Sequence, residues 1–185
     1  MSNILNRFND QEEEELNELN ATSEKYLTFI IDKQFYGFHI NDVVEIIEMQ
    51  EITPVPEFPE YAKGIINLRG TLIPVIDVRL RFSKNEAEYN ERTCIIILNL
   101  NEVQTGFIVD TVDEVVDIDK DDISGVPKLA DRNARKFIQG VGKVNKKKIV
   151  MLVDAMKMLN DSEMQAIESM SEISADELEE INLDM

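Results

Sequence analysis

The residue types that most often carry out catalysis are scarce in this 185-residue chain, which has one histidine and one cysteine. His39 lies between Phe38 and Ile40 in a segment with strand character, with no serine or cysteine motif beside it. Cys94 stands in the apolar run TCIIIL, which is typical of a small buried side chain rather than a reactive thiol. Dinucleotide, P-loop and G-x-S-x-G motifs are absent. The sequence therefore predicts no enzyme and no cofactor.

A group of aspartates is the pattern closest to a metal site. Asp117, Asp119 and Asp121 have the spacing of the first ligands of a calcium loop. Such a loop needs a glycine at its sixth position and a glutamate at its twelfth, where this chain has Asp122 and Lys128. We interpret the segment as a solvated acidic loop. Among 37 acidic residues, chance pairs of carboxylates are expected, so a glycosidase-like site is not indicated either.

One charged residue indicates binding rather than catalysis. The stretch GIINLRGTLIPVIDVRLRF, residues 64–82, predicts two buried strands over residues 65–68 and 72–76. They are joined by a tight Arg69-Gly70 turn. A buried hairpin needs no arginine at its tip to fold, so we interpret Arg69 as a contact to something outside the chain.

The net charge of −18 is concentrated at the two ends of the chain. Residues 1–24 form an acidic tail that we expect to be disordered, and residues 161–185 contain nine acidic and no basic residues. This charge disfavours nucleic acid and anionic membranes as partners. A single cysteine allows no internal disulfide, and neither a signal peptide nor a membrane-spanning run is present, so we expect a cytoplasmic protein.

Short apolar segments separated by turns predict a mainly β fold. We expect about ten strands, beginning with a hairpin around Asp32-Lys33, and a short helix over residues 42–48 after it. The polar segment 83–91 separates two halves, and the basic triplet 146–148 is interpreted as a hairpin tip kept soluble. Strands spaced in this way favour small barrels or a sandwich.

The pattern changes to a helical period near the end of the chain. Residues 155–159 are expected to be helical, and Ser162 with Gln165 forms a capping-box pattern before a second helix. Ser174 with Glu177 repeats it. We interpret this part as an acidic C-terminal helix that docks through a thin apolar stripe.

Several segments together resemble the CheW family of bacterial chemotaxis coupling proteins. The resemblance covers roughly residues 26–170, with the same order and gaps. Its pieces are YLTFIIDKQFYGFHINDVVEII, KGIINLRGTLIPVIDVRLRF, YNERTCIIIL, GFIVDTVDEVV, FIQGVGKVNKKKIVMLVD and MLNDSEMQAIESM. Each piece alone is weak, and the set is specific.

The resemblance implies a fold, partners and site residues. It implies two five-stranded SH3-like β-barrels on a shared core, at about residues 25–82 and 92–153 of a CheW-like domain spanning 25–160, with strand exchange between them left open. It also implies a non-enzymatic adaptor, a monomer when isolated, that couples the chemoreceptor cytoplasmic tip to the regulatory domain of the histidine kinase CheA in membrane-associated arrays. Matched residue by residue, the binding positions are Val43, Glu45, Arg69, Asp110, Val112 and Val115.

The valines have a second interpretation, since each of them would also suit the core, and for Val43 and Val115 the two interpretations weigh nearly equally. We further hypothesise that Glu45 and Arg69 pair across the first barrel and so orient the arginine. Two rival functions are kept. An oligonucleotide-binding barrel would need a basic face with aromatics, and an enzyme would need an unrecognised carboxylate site.

Overall fold

The computed structural model describes residues 22–126, 128, 132–159 and 161–171. This part of the chain contains eleven strands and three α-helices, and three short 3-10 helices connect them. The strands are β1 Ser23–Ile31, β2 Gln34–His39, β3 Val43–Glu48, β4 Ala62–Leu68, β5 Thr71–Asp77, β6 Cys94–Leu100, β7 Val103–Val109, β8 Thr111–Asp119, β9 Ile123–Ser124, β10 Ile138–Val144 and β11 Lys148–Val153. The helices are α1 Val78–Arg81, α2 Arg132–Arg135 and α3 Asp161–Ser171, with 3-10 helices at Ile40–Asp42, Lys120–Asp122 and Ala155–Met158.

The first sheet joins the two ends of the described chain. Its strand order is β8-β1-β2-β11-β10-β9. All neighbours are antiparallel except β2 and β11, where Tyr36 pairs with Met151 in a parallel register. The opening hairpin therefore lies between strands that are far from it in sequence.

The second sheet contains the five strands β3-β6-β7-β5-β4, with β5 and β7 parallel. Beyond the end of β3, Thr53 pairs with Ile65 of β4 through backbone N···O distances of 2.8 and 2.9 Å. This bridge brings the segment after β3 onto β4 at the other edge, so the sheet curls into a barrel. Gly64 permits the close approach, since a Cβ there would lie 2.1 Å from the Thr53 carbonyl oxygen.

Three apolar clusters fill the described part of the molecule. The largest lies between the sheets, where the rings of Phe38 from β2 and Phe107 from β7 are 5.3 Å apart. A second cluster around Tyr26 and Val150 fills the first sheet, and a third around Ile73 and Ile97 fills the second. The expected mainly β fold, with two sheets on a shared core, is confirmed. The first sheet has six strands rather than five because of the two-residue strand β9.

Both sheets take strands from either side of the segment 83–91. The first combines β1 and β2 with β8 to β11, and the second combines β3 to β5 with β6 and β7. The predicted units at 25–82 and 92–153 left open an exchange of strands between them, and each sheet does combine strands from both ranges.

The helix expected over residues 42–48 is wrong. A short helix does follow the first hairpin, but it is the 3-10 turn Ile40–Asp42, in which His39 Nδ1 accepts a hydrogen bond from the Asn41 N–H at 3.3 Å. Residues 43–48 form β3. The sequence VVEIIE is rich in β-branched side chains, which favour a pleated strand over a helix.

The end of the described chain agrees more closely with expectation. Residues 155–158 form a 3-10 turn, in which Asp154 caps the N–H of Met156, and α3 follows. Met164 of α3 packs against the largest cluster. The folded body begins at Ser23, so the last two residues of the expected tail belong to β1. Residues 1–21 and the second capping-box pattern at Ser174 lie outside the described residues.

Candidate functional site

Arg69 occupies the first position of a two-residue turn between β4 and β5. Its φ is +52° and that of Gly70 is +86°, which places both residues in the left-handed region of type I′ hairpin turns. The Asn67 side chain accepts a hydrogen bond from the Gly70 N–H at 2.9 Å and fixes the turn. Asparagine, aspartate and glycine suit this conformation, whereas another L-residue costs about 1–2 kcal/mol. An arginine held there is a candidate for function rather than for stability.

Glu45 of β3 pairs with Arg69, as hypothesised from the sequence. A guanidinium nitrogen of Arg69 donates to Oε1 of Glu45. The pair connects β3 with the hairpin that carries β4, which are the two outermost strands of the second sheet. The arginine side chain is 70% exposed and the glutamate side chain 30%. Such exposed pairs contribute about 0–1 kcal/mol to stability, so this contact orients the arginine more than it holds the fold together.

Strand β3, which carries Glu45, exposes two apolar side chains on its opposite face. Val44 is 44% exposed and Ile46 is 45% exposed, and the strand lies at the edge of its sheet. Val43 is half-buried and packs against the largest cluster. Sequence reasoning missed Val44 and Ile46 because it predicted a helix there. A two-residue period would have placed both of them on the face opposite Glu45 and Ile47.

Asp110 lies elsewhere and is bound by Arg79. Nε and Nη2 of Arg79 donate to its two carboxylate oxygens at 2.8 and 2.9 Å, and this hydrogen bonding raises the pKa of Arg79. The backbone N–H of Asp32 donates to Asp110 at 2.8 Å. Arg69 lies before the first residue of β5, and Asp110 lies past the level of the last residue of β5. The length of this strand therefore separates Arg69 from Asp110 by roughly 20 Å. The carboxylate of Asp110 ties the first hairpin to the junction of β7 and β8.

The two valines of β8 differ in burial. Val112 is half-buried, pairs with Phe29 of β1 and packs against the largest cluster. Val115 is 51% exposed opposite Leu27, so it is not a core residue. Of the six binding positions expected from sequence, the structure brings Glu45 and Arg69 into contact. A groove walled by Val43, Val112 and Val115 stays a prediction.

The other residues considered for chemistry have structural surroundings. His39 ends β2 and its ring packs edge-on against Tyr26 at 5.3 Å. Cys94 is half-buried in β6, and burial raises the pKa of its thiol. Within the described ranges, no group of three or more metal-ligating side chains is assembled. None of the helices in the described part of the chain has the length and apolar character needed to cross a bilayer.

Comparison with known proteins identifies relatives over most of the chain. Residues 25–163 match the model of the CheW-like domain. A chemotaxis protein CheW from Klebsiella aerogenes is 30% identical over 151 residues, which cover 82% of this chain and 90% of that protein. A chemotaxis protein CheW from Bacillus subtilis is 30% identical over 145 residues, covering 78% of this chain and 92% of that protein.

A solved structure has the same fold. The crystal structure of the scaffolding protein TtCheW from Thermoanaerobacter tengcongensis aligns with a TM-score of 0.70 at 34% identity. The alignment covers 76% of this chain and 97% of that chain. The family match and the two-sheet β fold agree with one another. This chain belongs to the CheW-like domain family.

Proposed function

We propose that this protein is a non-enzymatic chemotaxis adaptor that couples the cytoplasmic tip of chemoreceptors to the histidine kinase CheA. The family membership supports the chemotaxis role, and the name of one relative, a scaffolding protein, supports an adaptor. The observation that carries the proposal is the Arg69 turn. An exposed arginine is fixed by Glu45 of an edge strand whose opposite face exposes Val44 and Ile46.

These chemical features suit a protein surface as the partner. Arginine is enriched among residues that dominate binding energy, above all where apolar neighbours exclude water around it. A guanidinium that is already held by an ion pair, as Arg69 is by Glu45, loses less conformational freedom on binding than an unpaired one. The exposed side chains of the edge strand β3 add apolar contact on the face opposite Glu45. A partner surface with apolar and acidic groups, such as the apolar face of a helical receptor tip, would complement this surface.

The adaptor acts by contact and not by reaction. The lone histidine and the lone cysteine have structural surroundings, since His39 caps a 3-10 turn and Cys94 lies half-buried in a strand. Receptor control of the kinase would then follow from simultaneous binding of both partners. Recruitment of the cytoplasmic chain to membrane-associated receptor arrays follows from the same contacts.

Reconstitution tests the coupling role directly. Receptor cytoplasmic fragment, CheA and this protein are mixed, and kinase activity is measured with and without receptor ligand. The native chain should bring the kinase under receptor control, and Arg69→Ala should weaken binding by about tenfold or more, as loss of a central interface residue does. Arg135→Ala removes an exposed arginine of α2 and serves as the matched control. If neither partner binds and kinase activity is unchanged, the adaptor role is wrong.

A charge exchange tests whether Glu45 orients Arg69. The single variants Glu45→Arg and Arg69→Glu each place like charges together, and the double variant restores an opposite pair. The double variant should therefore recover part of the coupling that each single variant loses. A double variant no better than either single variant would count against an orienting role for the pair.

A further inference from the structure

A basic surface lies on the first sheet of this strongly acidic protein. We define the lysine hairpin as residues 143–149, which join β10 to β11. Lys143, Lys146 and Lys147 are exposed. Lys148 donates to Asp113 and to Glu114, but the ion pairs found among the described residues include none for the other three lysines. Three cations are thus available on a chain whose net charge is −18.

The surface of the lysine hairpin is concave and partly apolar. It borders a concavity of about 660 Å³ that is lined by four lysines, Asn145, Ile149 and one carboxylate, that of Asp122. Ile149 is 51% exposed in the middle of these charges. Lys146 adopts a left-handed φ of +60°, a conformation that glycine or asparagine would hold with less strain. An acidic segment that also carries apolar side chains would complement this surface.

The N-terminal part of this same chain has that composition and ends nearby. Residues 10–19, DQEEEELNEL, contain six acidic residues and two leucines and no basic residue. The chain enters β1 at Ser23, which pairs with Asp119, and the 3-10 helix that follows carries Asp122 to the concavity. A coil of seven residues, the separation of Glu15 from Thr22, would span about 15 Å on average.

We propose that residues 10–19 dock on the lysine hairpin of the same molecule, with their carboxylates against Lys143, Lys146 and Lys147 and a leucine against Ile149. Each such ion pair is weak in water. Because residues 10–19 belong to the same chain, their effective concentration at the lysine hairpin is of the order of millimolar. Several weak contacts together then suffice for the docked state to be populated. The other acidic end of the chain is the poorer occupant, since it continues from α3, which packs against β5 and β7 of the second sheet.

Paramagnetic relaxation in the full chain tests this docking. A spin label is attached at Gln11→Cys in a Cys94→Ser background, and amide signals of the lysine hairpin are followed by NMR. The label should strongly broaden residues 146–149 at low salt. The broadening should vanish near 1 M salt, where the Debye length is about 3 Å. It should also vanish in the triple variant Lys143→Gln, Lys146→Gln, Lys147→Gln, whose changes lie on the surface and leave the apolar clusters intact.

Three outcomes would overturn the proposal. The lysine hairpin could keep its full signal intensity with the label at position 11. A label at Asn182→Cys could broaden it instead, which would assign the surface to the C-terminal residues. Broadening that appears only between a labelled and an isotope-enriched molecule in a mixed sample would assign it to a second copy. A further variant changes glutamates 12–15 to glutamine. It should abolish the broadening of the lysine hairpin by the label at position 11, and the signals of β5 and β7 should not shift.

Discussion

Two arginines ten residues apart have very different surroundings. Arg69 is 70% exposed and meets one carboxylate, whereas the Arg79 side chain is 17% exposed and binds Asp110 through two nitrogens. Arg79 also donates to the Asn85 carbonyl at 3.1 Å and lies 3.5 Å from Asp32. We infer that Arg79 and Asp110 maintain the fold, while Arg69 is available to a partner.

A buried carboxylate fixes the segment between the two halves of the sequence. Asp77 is 3% exposed, caps the N–H of Leu80 and accepts a hydrogen bond from the Tyr89 hydroxyl at 2.7 Å. Burial, and then the hydrogen bond to Asp77, raises the pKa of Tyr89 above its ordinary value of 10.0. The segment 83–91, expected to be a plain linker, is therefore attached to the core at Tyr89.

This pairing predicts a stability change at alkaline pH. Above about pH 10 the tyrosine of the unfolded chain loses its proton while the folded one keeps it, so the free energy of unfolding should fall as pH rises. Tyr89→Phe removes this contribution and leaves Asp77 without one donor, which should cost about 1.5–3 kcal/mol at neutral pH. Urea unfolding of both proteins at about pH 7 and about pH 11 checks this. The difference in the free energy of unfolding between the native protein and Tyr89→Phe should shrink at the higher pH. An unchanged difference would contradict the role given to the hydrogen bond between Tyr89 and Asp77.

At the scale of elements, the sequence predicted the strands well where apolar runs end in turns. The hairpins at Asp32-Lys33 and Arg69-Gly70 and the strand Ile138–Val144 lie where expected. Prediction failed at residues 43–48. Over so short a length, four apolar residues with two glutamates fit both the helical period and the two-residue period of a strand. The outcome depends on β6, because Ile46 pairs with Ile96 about fifty residues later.

The closure of the second sheet depends on one glycine. Gly64 has a φ of +142° and its missing Cβ leaves room for the Thr53 carbonyl. Gly64→Ala should therefore lower the free energy of unfolding by about 1–3 kcal/mol through backbone strain alone, with the clash adding to it. Chemical denaturation measures the loss. Gly125→Ala is the matched control, since no atom lies within 4 Å of a Cβ added there. Equal stability of the two variants would mean that the bridge to Ile65 is dispensable.

At the scale of the whole molecule, the first sheet combines strands from both ends of the described chain. Tyr36 pairs with Met151, a contact that no local pattern of residues could have predicted, because only packing against the shared core selects it. Local sequence patterns were limited in the same way at the candidate site. Composition and motif singled out Arg69 and suggested Glu45, but the partners of Asp110 and the exposure of Val115 depend on how distant strands are placed.

This arrangement predicts that the chain folds as one unit. A fragment of residues 22–91 contains β1 and β2 but neither β8 nor β11, so it should show no cooperative unfolding and little strand signal by circular dichroism. The full chain should unfold in one transition that is the same by circular dichroism and by tyrosine fluorescence. A fragment with a native-like strand signal and a sharp transition would contradict this dependence between the halves.

The interleaved sheet also has a consequence during synthesis. The opening hairpin leaves the ribosome first, yet its neighbour β11 ends only at Val153. At about 5–20 residues per second, the hairpin waits for several seconds with both edges unpaired. Unpaired edges recruit strands from other nascent chains. The acidic residues that precede the hairpin repel such neighbours during that interval, so the N-terminal charge would guard the chain against aggregation before its fold exists.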